Sequence, residues 1–134
     1  MGGWHEIDHT ADLALHVWGD DLAELFVSAA RGMCSLMAEP APVGDATRLR
    51  IVLSAPNVEA LLVDWLNELL YQCESAACVC TEFCVEGISP TELRAAVVGS
   101  PIDVRTSHIK AATYHLLAVE ATETGYETQI VFDV

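Results

Sequence analysis

Residues 57–73 read "NVEALLVDWLNELLYQC", and the reading of this stretch decides the fold. Val58, Leu61, Leu62, Trp65, Leu66, Leu69, Leu70 and Cys73 recur at the i, i+3, i+4, i+7 spacing that winds side chains onto one face of an α-helix. Asn57, after Pro56, supplies an N-cap whose side-chain oxygen can accept from a first-turn N–H. Asp64, Asn67 and Glu68 fall on the polar side. A helix with one continuous apolar face must bury it against other elements, so the flanking sequence should provide them.

A second amphipathic helix precedes it. In "DDLAELFVSAARGMCSLM", Leu22, Leu25, Phe26, Ala29, Ala30, Met33, Cys34 and Met37 follow the same spacing. Asp21 and Glu24 stand at capping-box distance, and "EPAPVGD" ends the helix with two prolines and a glycine. The remainder alternates with period two or reads as strand: "LALHVWG", "RLRIVLS", "CVCTEFCVEG", "ELRAAVVG", "ATYHLLAVEA" and "YETQIVFD", with "EATETGYE" as a hairpin joining the last two. The order is strand or strand pair, helix, strand, helix, then several strands joined by tight turns. That order predicts an α+β fold, an antiparallel or mixed β-sheet with two amphipathic helices packed on it.

At 134 residues and 52% apolar, the chain is one domain (1–134), long enough to bury a core and too apolar for disorder. No run of roughly 18 apolar residues exists, so no membrane span or membrane partner is expected. The N-terminus "MGGWHEIDHTAD" lacks the layout of a signal peptide, which places the expected location in the cytoplasm. Glu6 stands where myristoylation wants Ser or Thr. The net charge of −14 sets 20 acids against six basic residues, and Lys110 is the sole lysine. Such a surface repels phosphate, which argues against direct nucleic-acid binding; it suits a protein that binds cations or docks on a basic partner.

No G-x-S-x-G, Gly-rich phosphate loop, H-E-x-x-H or dinucleotide fingerprint is present. Five cysteines are an odd number in a chain without an export signal, so disulfides are a poor default. Cys73, Cys78, Cys80 and Cys84 crowd into "CESAACVCTEFC", with Cys78 and Cys80 on one face of a strand. The spacing lacks paired C-x2-C knuckles. Buried structural thiols are the simpler reading, and a metal or redox site is the alternative.

Polar residues cluster in "HEIDHTAD", where His9 and Asp12 sit between two short strands, and in "HIKAATYH". On spacing alone the first is a turn whose Asp accepts backbone hydrogen bonds, or else part of a site. In the second, His108, Lys110 and Ala112 would share one face of an extended strand, Thr113 and His115 the other; a lone lysine there guards an edge or serves a site. Asp12, Asp133 and the terminal carboxylate of Val134 are hard oxygen donors. Should the first and last strands be neighbours, these anions converge, and a hard divalent cation would relieve their repulsion. No spacing rule links residues 12 and 133.

"HTAD", then "WGDDLAELFVSAARGM", "LLVDWLNELLY", "IKAATYHLLAV" and the closing "VFDV" resemble the archease family in order and over nearly the whole chain. The resemblance implies a non-catalytic protein cofactor of an RtcB-type tRNA-splicing RNA ligase, promoting guanylylation of the ligase histidine and multiple turnover. It implies a divalent metal ion, calcium first and magnesium or manganese as substitutes, held by Asp12, Asp133 and Val134. Glu68 and Lys110 match polar positions tied to activation, with His9 in support. The cysteine-rich stretch belongs to none of these motifs. Two other readings stand beside this one: a general chaperone-like modulator of an RNA-processing or RNA-modifying enzyme, and a small redox or metal-dependent enzyme using the cysteines.

Overall fold

Both helices begin as their caps dictate in the computed structural model, which describes residues 1–7 and 13–134. Asp21 accepts from the Glu24 N–H at 2.8 Å and opens helix α1 (Leu22–Met37). Asn57 accepts from the Ala60 N–H at 2.9 Å and opens α2 (Val58–Ala76). Around them run β1 (Gly3–Ile7), β2 (Leu13–Gly19), β3 (Ala38–Pro40), β4 (Thr47–Ser54), β5 (Cys78–Ile88), β6 (Glu92–Arg105), β7 (Ala111–Ala112), β8 (Glu120–Ala121) and β9 (Tyr126–Asp133).

The strands form two sheets rather than one, and the pairings among the described residues are antiparallel. In the first, the order is β1-β2-β9-β7, with β8 also on β9. In the second, β6 is central, flanked by β4 and β5, and its far end turns to β3. Pro101 lies where β6 changes partner, after the Gly99–Thr47 pair of β4 and before the Ile102–Pro40 pair of β3. A residue without an N–H is cheapest at such a break in the ladder.

Helix α1 packs on β1 and β2, and α2 on β4, β5 and β7. Gly32 permits the first contact, because a Cβ there would stand 2.8 Å from Leu15 Cδ1 and 2.9 Å from Trp4 Cγ. Trp65 locks the helices together: it is fully buried, its indole N–H donates to the Phe26 carbonyl at 2.9 Å, and its ring meets Phe83 edge-on at 6.3 Å. Burying an aromatic of that size is worth about 4–6 kcal/mol on area alone. One apolar core thus runs from Leu15 and Phe132 of the first sheet, through both helices, to Ile51 and Val97 of the second.

Three strand expectations change. "ATYHLLAVEA" is not a continuous strand: only Ala111–Ala112 and Glu120–Ala121 pair with β9, and between them the chain turns at Tyr114–Leu117, with Leu116 at φ +58°. Side-chain alternation fails there as well. His108 and Lys110 are exposed, but Ala112 is buried with Ile109, three residues before it. The reason is that polar side chains, not a second strand, satisfy this backbone. Strand β6 runs six residues beyond "ELRAAVVG", and the "EPAPVGD" loop region contributes the short strand β3.

Candidate functional site

The end of the β2–β9 ladder is where Asp133 and Val134 stand. The last described pair is Leu13 with Phe132, so the start of β2 and the end of β9 lie side by side: the last strand neighbours the second, not β1. On the other flank of β9, Ala111 pairs with Asp133, and the Lys110 N–H donates to the Asp133 carbonyl at 2.8 Å. The β2 ladder holds the backbone of β9 to Phe132 and the β7 ladder to Asp133, whose side chain is exposed; Val134 follows, 46% exposed. The fold therefore brings Lys110, Asp133 and Val134 to one rim. His9 and Asp12 lie outside the described residues.

Helix α2 fixes that rim through two side chains that spacing did not single out. The Asn67 amide grips the backbone of Ala112 from both sides, accepting from its N–H at 2.7 Å and donating to its carbonyl at 3.3 Å. Eight residues earlier on the same helical face, Glu59 accepts from the Val119 N–H at 3.0 Å. Thr113 adds two bonds to the Val131 carbonyl, from its N–H at 3.0 Å and its hydroxyl at 2.8 Å. These bonds account for the irregular course of 112–119, whose backbone polar groups need partners once the strand breaks. Glu68, the next residue, is half-buried and accepts from Gln72 at 3.3 Å; among the described residues no hydrogen bond or ion pair joins it to Lys110 or Asp133.

The cysteines regroup. Cys73 occupies the last turns of α2, Ala77 takes the left-handed conformation that reverses the chain, and Cys78 and Cys80 open β5 on one face. The sulfurs of Cys73, Cys78 and Cys80 lie within 4.8 Å of one another, with Cys73 and Cys80 at 3.1 Å. Cys34 of α1 stands beside Cys73 but outside that trio; Cys84 is exposed and apart. All four clustered thiols are at most 3% exposed. Hydrogen bonds from Cys34 and Cys80 lower the Cys73 thiol to about 3, making it the thiolate of the group. Its bond and charge, together with burial, raise Cys34 and Cys80, and burial with that same charge pushes Cys78 up to about 11.

The basic side chains are unevenly spread. Arg48, Arg50 and Arg94, half of the six, alternate onto the outer face of β4 and β6, where Arg50 pairs with Glu86 at 2.6 Å. Among the described residues no helix is long and apolar enough to cross a membrane.

Two helices clasped between antiparallel sheets, with the chain terminus ending a central strand, define the class of fold. A solved structure from Methanobacterium thermoautotrophicum shares it at a TM-score of 0.73 and 24% identity, covering 98% of this chain and 99% of that one. A crystal structure from Thermotoga maritima, described as an archease and possible chaperone, matches at 0.70 and 26%, covering 96% and 94%. Among curated sequences, the archeases of Methanosarcina acetivorans and Archaeoglobus fulgidus are 35% and 33% identical, each over 96% of this chain and over 93% and 96% of their own. The model of the archease protein family matches residues 4–134. The chain belongs to the archease family.

Proposed function

We propose that this protein is a non-catalytic activator of an RtcB-type tRNA-splicing RNA ligase, promoting guanylylation of the ligase and its multiple turnover. The observation that carries the reading is the pairing of β2 with β9, which sets the residue bonded to Asp12 beside the residue bonded to Asp133. Asp12, Asp133 and the Val134 terminus would hold a divalent cation, calcium first. Carboxylates and a terminal carboxylate are the hard oxygens such an ion prefers, and the exposed rim leaves room for its remaining water ligands. When bound, the cation supplies positive charge at a nucleotide's phosphates. The chain's own share is positional: two ladders and the Asn67 grip hold the end of β9 and its neighbour β7 in place. Lys110, whose backbone is tied to Asp133, offers the rim one cation of its own, and Glu68 and His9 complete the surface presented to the ligase. The acidic balance favours docking on a basic protein over holding RNA directly.

The test is guanylylation and multiple-turnover ligation by the cognate ligase, with and without this protein and with the metal varied. Asp12→Ala and Asp133→Ala should each abolish activation while the fold persists. Full activation by both variants would sink the reading. The description of the Thermotoga relative as a possible chaperone supports a second reading, a chaperone-like modulator of an RNA-processing enzyme. Suppression of client aggregation in the absence of any ligase would favour it.

A further inference from the structure

We propose that Cys34, Cys73, Cys78 and Cys80 form a tetrathiolate site for a thiophilic cation, zinc, held between α1, the end of α2 and the start of β5. Zinc takes four thiolates at about 2.3 Å in a tetrahedron, which sets sulfur-to-sulfur separations near 3.8 Å. The sulfurs of Cys73, Cys78 and Cys80 already lie within 4.8 Å of one another, and the 3.1 Å pair has only to open by a fraction of an ångström; Cys34, beside Cys73 but outside that trio, has to close in to complete the set.

Plain packing of small side chains explains a buried cysteine, but four features go beyond it. Cys34 comes from a different helix, far from the others in sequence, and meets the same sulfur, Cys73. The backbone of Cys80 favours the ionised form of both Cys34 and Cys73, the kind of outer-shell donor that supports metal-bound thiolates. Gly99, opposite Cys80 in the β5–β6 ladder, leaves space for a sulfur: a Cβ there would stand 2.5 Å from Cys78 Sγ. Finally, a cavity of about 120 Å³ reaches Cys73 and Cys78 from the side of Arg105 and His108.

The cavity gives an ion a way in. Four thiolates and one zinc leave two negative charges in the core, and the cavity that reaches them is lined by Arg105 as well as by Glu74. Binding must displace thiol protons, so affinity should rise with pH. The site is closed, with four protein ligands and no open position, so its role is structural. It ties the two helices to the second sheet, away from the oxygen donors of the β9 rim. It stands independently of any ligase.

The experiment uses the full chain, purified with reductant, stripped with a chelator and titrated with cobalt(II) as a spectroscopic substitute. One equivalent should produce the intense visible bands and sulfur-to-metal charge transfer of tetrahedral thiolate cobalt, and zinc should erase them. Cys84→Ser should behave as the unaltered chain. Cys34→Ser should shift the bands to shorter wavelength and weaken cobalt by at least about tenfold; the unaltered chain and Cys84→Ser decide the matter even if that variant misfolds. Calcium, offered alone, should leave the thiol bands absent. Absence of charge transfer with five thiols reacting after denaturation would mean packed thiols only and overturn the proposal. Absence with three reacting would mean a disulfide and overturn it equally.

Discussion

At the β9 rim Asp133 and Val134 set oxygens on an exposed sheet end; between the helices lie buried sulfurs that a narrow cavity reaches. The Asp133 and Val134 carboxylates repel each other, and the strand that carries them is held by backbone ladders on both sides. The sulfurs share protons, with one thiolate supported by its neighbours' S–H groups. Helix α2 serves both, gripping Ala112 through Asn67 and supplying Cys73 six residues on, about 9 Å along its axis. The oxygens lie on the surface, the sulfurs in the core. The two regions therefore should fail separately when touched locally and together only when their shared frame fails.

The largest effect follows from breaking the frame. Trp65→Ala removes a fully buried ring and the bond to Phe26, so it should cost about 3–5 kcal/mol in urea denaturation. Both the cobalt bands and ligase activation should weaken in that variant. Loss of one with the other intact would show that α2 does not couple them.

Next comes the alkaline limb of the metal-free protein. In the unfolded chain the thiols titrate near their ordinary value of 9.0, whereas in the folded chain Cys34, Cys78 and Cys80 hold their protons beyond it, Cys78 to about 11. Their contribution is complete below about pH 9 and is lost as pH rises through the folded values. Cys73, lowered to about 3, works oppositely, contributing above 9 and losing that contribution as pH falls toward 3. Urea midpoints should therefore fall on the alkaline side of the thiols' ordinary pKa without metal. With stoichiometric zinc the fall should vanish, since the native sulfurs are then already ionised. A metal-free midpoint that climbs between about pH 9 and 11 would show that burial does not retain the protons.

How far these regions were legible differs for a physical reason. Helix caps and faces are local, and Asp21, Asn57 and the Leu61–Trp65–Leu69 stripe announced both helices at the residues where they occur. Strand β9 was equally plain over Tyr126–Asp133. The 112–121 segment misled because an apolar run reads as strand, while the structure satisfies its backbone with Asn67 and Glu59 from a distant helix. The cysteines misled in the same way. Cys84 is near in sequence but points elsewhere, and Cys34 joins the cluster only through helix–helix packing. Juxtapositions made by tertiary packing carry no local signature, and the link between residues 12 and 133 came from family resemblance alone.

Asn67→Ala sharpens the contrast on the oxygen side. It leaves the buried N–H and carbonyl of Ala112 without their side-chain partners, at about 1–3 kcal/mol. Calcium titration should show weaker binding as β7 loosens from Asp133, while the cobalt spectrum of the thiols stays unchanged. A changed spectrum would mean that the grip on Ala112 also shapes the far end of α2.

The smallest change in stability should come from extending the chain past Val134. That residue is 46% exposed and follows the last ladder pair, so a short tag displaces no packed side chain and should alter stability by less than about 0.5 kcal/mol. It does convert the terminal carboxylate into a neutral amide, leaving one carbonyl oxygen where two anionic oxygens stood. Under the proposed coordination the tagged protein keeps its fold and its thiol bands yet binds calcium less tightly and activates the ligase less. Equal calcium affinity with and without the tag would reduce the hard site to Asp12 and Asp133. In that case β9 ends at Asp133 to serve the sheet, and its final residue is a solvated terminus.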